Sequence, residues 1–142
     1  MGQNLSSGNY HEWATAEPSR VMAFHSKSQW EEHYNASKGT DKLMVIDFTA
    51  TWCGPCRWME PTIDELSATF ADVDFIKIDV DELMNVARQY GVQAMPTFLL
   101  MKNGKVVDKV VGAKKDELRN KIEQHSNKSQ PYLHSNSYHY AI

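Results

Sequence analysis

The chain has 142 residues, 42% hydrophobic and 23% charged, with a net charge of −3. That balance suits one soluble domain with a real core and offers no basic field for nucleic acid or anionic lipid. No stretch approaches the ~18 apolar residues of a membrane-spanning helix. The N-terminus also lacks the apolar core of a signal peptide, so a cytoplasmic setting is expected and the N-x-S sequons at Asn4, Asn35 and Asn127 read as chance matches.

Residues 1–19 are polar and without period and are predicted to be a flexible extension; the domain is placed at 20–125 and a flexible polar tail at 126–142. The run "RVMAFHS" from Arg20 reads as an edge strand. Ser28-Gln29-Trp30-Glu31 fits a capping box, followed by Trp30 and Tyr34 at helical spacing and a stop at Gly39. "KLMVIDFTA" is a continuous β-type run, read as a central buried strand. Met59, Ile63, Leu66 and Phe70 then line one face of a helix, with Pro61 inside it to kink it. "VDFIKIDV" is the next strand. Leu83, Val86, Ala87 and Tyr90 form a second helical stripe closed by Gly91. "TFLLM" and "KVVDKVV" around Asn103-Gly104 make a hairpin, and Asp116 to Gln124 a last amphipathic helix. The order β-α-β-α-β-α-β-β-α predicts an α/β protein, with a mixed five-stranded sheet and helices on both faces.

"TWCGPCRWM" carries the only two cysteines, Cys53 and Cys56, between a buried strand and a helix. A helix N-terminus presents unpaired N–H groups and a positive dipole end, which favour a thiolate. Cys53, at the tip, is therefore the expected nucleophile and the more exposed sulfur; Cys56, one turn in, is the resolving thiol. Gly54 admits a close backbone approach, and Pro55 stiffens the loop. Two other readings stand beside this one. Zinc needs four ligands, and there is no second cysteine pair; His134 and His139 lie in an unpatterned tail, so no metal is expected. A permanent staple closing so small a loop would contribute little.

Strand alternation puts Asp47 on the face of Leu43 and Val45, opposite Met44, Ile46 and Phe48. Both faces are apolar, so the carboxyl is expected to be buried, with its pKa raised. It stands on the strand feeding the motif and is a candidate proton acceptor and donor for Cys56.

"WCGPC" after "VIDFTAT", then "MPTF" and a hairpin ending in "VVG", resembles the thioredoxin family over about residues 20–125, in particular the plant h-type thioredoxins with an N-terminal extension. The resemblance implies the thioredoxin fold and a thiol–disulfide oxidoreductase, a protein-disulfide reductase cycling Cys53 and Cys56. It implies the general-base role for Asp47, a cis peptide before Pro96, and a substrate groove lined by Met95, Pro96, Thr97 and Gly112, with Trp52 shaping the docking surface. Thr49 and Trp58 depart from common family patterns, a difference expected to bear on partner choice. No cofactor is expected to bind; electrons would come from NADPH through a thioredoxin reductase, with glutaredoxin as another donor. The expected partners are disulfide-containing proteins, met by a monomer. The alternative is a redox-dependent binding module that holds a partner on the same surface. At the N-terminus, Met1-Gly2 with Ser6 fits the myristoylation pattern, and one such chain on Gly2 would give only weak peripheral membrane association.

Overall fold

A computed structural model describes residues 18–126. Gly2, most of the expected extension, and the tail with His134 and His139 lie outside the described residues. Among the described residues, five strands and four helices follow in this order: β1 (Met22–Phe24), α1 (Lys27–Ser37), β2 (Met44–Thr49), α2 (Gly54–Thr69), β3 (Asp74–Asp79), α3 (Met84–Gln89), β4 (Thr97–Lys102), β5 (Lys105–Val111) and α4 (Lys115–His125). They build one sheet in the order β1-β3-β2-β4-β5. β3 runs parallel to both β1 and β2, while β4 is antiparallel to β2 and to β5. The expected mixed sheet is therefore present, with β2 at its centre.

Burial on both faces explains the unbroken apolar run of β2. Val45 packs with Met59, Ile63 and Leu66 of α2, and with Leu118 and Ile122 of α4. Met44, Ile46 and Phe48 pack on the other face with Trp30 of α1 and Val86 and Ala87 of α3. Pro61 lies in the interior of α2 without ending it; lacking an N–H, it leaves the Arg57 carbonyl without its usual helical donor. The hairpin closes through Asn103 and Gly104 at φ 54° and 76°, the left-handed pair that a two-residue turn matched to strand twist requires. β5 holds an irregularity beside Leu100/Met101, where Asp108 and Val106 are the consecutive partners and Val107 is extra.

The cap of α1 differs from expectation. Ser26, not Ser28, is the N-cap: its hydroxyl accepts the Gln29 N–H, and the Gln29 side chain accepts the Ser26 N–H at 3.1 Å. Ser26-x-x-Gln29 and Ser28-x-x-Glu31 fit the same signature; in the folded chain Gln29 also accepts the His25 N–H at 2.8 Å, tying the cap to the end of β1. Ser26→Ala is expected to cost about 1 kcal/mol, read as a lower urea midpoint with unchanged slope; an unchanged midpoint would show that the box adds nothing.

Candidate active site

The two cysteines stand where β2 hands over to α2. Cys53 is the N-cap of α2, and its Sγ accepts the Cys56 N–H at 3.1 Å. The pair is joined as a disulfide, with Cα atoms 5.3 Å apart. A sulfur that already accepts a helix N–H is suited to carry negative charge once reduced. The expected contrast in exposure is absent: as a disulfide, Cys53 and Cys56 are 5% and 4% exposed. Both sulfurs lie in one small cluster with Ala50, against Val80 and Met95.

Around the pair, the loop residues divide by exposure. Trp52 is 65% exposed, and its indole N–H donates to Asp81 at 2.9 Å. Sequence reasoning missed Asp81, which gives no local signal because it lies in the turn after β3, 29 residues from Trp52. A Cβ built on Gly54 would meet nothing within 4 Å, so the chain itself does not demand glycine there. Pro55 falls in the first turn of α2.

Across the pair lies the turn before β4. The Met95–Pro96 peptide is cis, and the Met95 carbonyl oxygen is 3.6 Å from Cys53 Sγ. Thr97 is buried, and its hydroxyl donates to the Ala94 carbonyl at 2.6 Å. The Gly112 N–H donates to the Pro96 carbonyl at 2.8 Å, and Gly112 sits at φ 103°, where a side chain is disfavoured. Met95, Pro96 and Gly112 thus border the same rim as Cys53, although 42 residues separate Cys53 from Met95.

Asp47 is buried beneath α2, and its Oδ1 has no hydrogen-bond partner. Burial pushes its pKa up to about 7; the Lys77 ammonium opposes this, while the Glu60 and Asp64 carboxylates reinforce it. Lys77 is the register partner of Asp47 on β3.

A thiol pair held at disulfide distance on a helix N-terminus, beside an exposed aromatic and an open backbone rim, defines a thiol–disulfide oxidoreductase. Comparison with known proteins gives the same class. The Thioredoxin family profile matches residues 21–124. Thioredoxin H2 of Arabidopsis thaliana is 52% identical over 109 residues, 77% of this chain and 82% of that protein. Thioredoxin H2-2 of Oryza sativa subsp. japonica is 59% identical over 105 residues, 73% and 78% of the two chains. The crystal structure of the thioredoxin NaTrxh from Nicotiana alata superposes with a TM-score of 0.77 at 63% identity, covering 80% of this chain and 98% of that one. The chain belongs to the thioredoxin family and is similar to plant h-type thioredoxins. It is a protein-disulfide reductase whose redox centre is the Cys53–Cys56 pair, acting on disulfide-containing proteins and served by a reductase.

Proposed function

We propose that the chemistry divides among these residues as follows. Reduced Cys53, as the thiolate, attacks one sulfur of a target disulfide; a mixed disulfide forms and the first target thiolate leaves. Cys56 then passes its proton to the Asp47 carboxylate and attacks Cys53 Sγ. The Cys53–Cys56 disulfide forms, the second target thiolate leaves, and Asp47 returns its proton toward it. The observation that carries this division is the hydrogen bond from the Cys56 N–H to Cys53 Sγ, which favours negative charge on Cys53 over Cys56.

An extended target segment pairs with the backbone of Met95, with Pro96 and Gly112 forming the rim, while the buried Thr97 braces the turn through the Ala94 carbonyl. Strand addition of this kind reads main chain and tolerates many side chains. The open space at Gly54 and the exposure of Trp52 support docking there, and Pro55 keeps the loop stiff. The protein holds no cofactor of its own in this scheme. Two electrons from NADPH reach the disulfide through a thioredoxin reductase, or from glutaredoxin, in a reducing compartment such as the cytosol. One chain supplies the whole site, which supports a monomer. Acylation of Gly2 would add a single lipid chain and so only transient membrane contact.

The test couples the protein to a thioredoxin reductase, NADPH and insulin. NADPH oxidation should depend on all three proteins and on both cysteines. Reduction of insulin by dithiothreitol-treated protein with no turnover by any thioredoxin reductase would overturn the proposed electron source and keep the reductase chemistry.

A further inference from the structure

A cavity of about 390 Å³ opens beside the redox centre, and none of the Met95 rim residues lines it. Thr49, Ala50 and Arg57 line it next to the motif, and Glu60 and Lys77 line it from α2 and β3. Glu60 Oε2 is 3.9 Å from Lys77 Nζ, and both side chains are partly open to solvent. Lys77 is the cross-strand partner of Asp47, whose buried Oδ1 has no hydrogen-bond partner. The buried carboxyl, the cation beside it and the surface carboxylate that engages the cation thus lie in series from the core to this cavity.

Every charged group near Asp47 can be assigned. β3 supplies Lys77, and α2 supplies Glu60 and Asp64, with Cys56 at its start. β4 offers the apolar Phe98 in register, and α4 turns Leu118 and Ile122 to this face. Asp64 accepts a hydrogen bond from the Ser19 hydroxyl at 2.7 Å, so it is held from another direction. Glu60 is the carboxylate that engages Lys77.

A lone ammonium beside a buried carboxylate would favour its charged form and make it a poor proton acceptor. An acceptor works best when its pKa lies near the working pH. We propose that Glu60 is a positioning residue for the proton transfer: it draws the Lys77 ammonium toward the solvent edge of the cavity and so keeps Asp47 basic enough to take the Cys56 proton. The inference rests on the reading of Asp47 as that acceptor. Burial and the Glu60 carboxylate both act to raise the Asp47 pKa, in agreement with this arrangement.

The test follows the Asp47 carboxyl carbon by NMR against pH in the oxidised protein. Glu60→Gln should lower its midpoint by roughly half a pH unit, an effect limited by solvent at the half-exposed pair. Lys77→Met should raise it. In the Lys77→Met background, Glu60→Gln should shift it less than half as far, because the ammonium to be positioned is gone. An unmoved midpoint in Glu60→Gln, or an undiminished shift without Lys77, would overturn the proposal. A kinetic arm separates this failure from that of the underlying reading. Stopped-flow records the second of two thiolates released from a symmetrical aromatic disulfide, a step that begins after Cys53 has reacted. Its pH profile should carry a limb set by Asp47, which moves with the NMR midpoint in Glu60→Gln and is absent in Asp47→Asn. A limb retained in Asp47→Asn would overturn the acceptor reading itself.

Discussion

Cys53→Ser is expected to abolish disulfide reduction, with a loss of at least ~10³-fold, because a serine hydroxyl is almost wholly protonated near neutral pH and forms no stable bond to sulfur. Cys56→Ser should lose multiple turnover by a similar factor for a different reason. The Cys53 thiolate still attacks, and the helix N-terminus that stabilises it is intact, since its donor is the backbone N–H of residue 56 and not the Cys56 side chain. The reaction then stops at the mixed disulfide. Mass spectrometry of Cys56→Ser with a disulfide-bonded target should find one target per chain, joined through Cys53 and released by dithiothreitol. Insulin turnover by Cys56→Ser at the wild-type rate would sink the two-thiol cycle. Partner binding left unchanged by either substitution would favour a surface that holds partners without exchange.

Asp47→Asn should stabilise the oxidised protein at pH 8 and give much less stabilisation at pH 4. In the folded protein, burial raises the Asp47 pKa from 3.8 to about 7. Between those values the folded state binds a proton that the unfolded chain does not, so this group's contribution is fully present below about pH 4 and is lost as pH rises through 7. A rise of that size corresponds to at most about 4 kcal/mol. The asparagine leaves a buried amide in place of a carboxyl whose Oδ1 already lacks a partner, and that amide has its own burial cost. The difference between the effects of the substitution at pH 8 and pH 4 cancels that cost. It should be about 3 kcal/mol by urea unfolding, allowing for partial relaxation around the charge. An equal effect at both pH values would mean that Asp47 is not ionising over this range in the folded state. The same substitution should slow the resolving step, so stability and activity move in opposite directions at one residue.

The stretches legible from sequence are those whose physics is local. Met59, Ile63 and Leu66 announced the buried face of α2, because helical spacing brings them together whatever the helix packs against. Asn103-Gly104 announced the hairpin, because the turn needs two left-handed residues and little else. The cysteine spacing and the strand-to-helix boundary placed both sulfurs on one helix end. Alternation along β2 put Asp47 on the face with Val45, where the structure has it. Where two local solutions were nearly equal, as with Ser26 and Ser28, the tie was broken by His25 at the end of β1, whose N–H the Gln29 side chain also accepts.

Periodicity names the face of a strand but not its neighbour, and everything that depends on neighbours was decided by the tertiary fold. The strand order β1-β3-β2-β4-β5 sets Lys77 opposite Asp47, and α2 packs Glu60 within reach of that lysine. The turn after β3 brings Asp81 to Trp52 across 29 residues, and the turn into β4 carries the Met95 carbonyl to Cys53. The near-equal burial of the two sulfurs likewise follows from Ala50, Val80 and Met95 closing over the disulfide. The sequence by itself determined that a thiol pair sits on a helix N-terminus fed by a buried acidic strand. The tertiary structure decided which charges surround that acid and which backbone faces the sulfur, because both arise from segments distant in the chain that only sheet pairing and helix packing bring together.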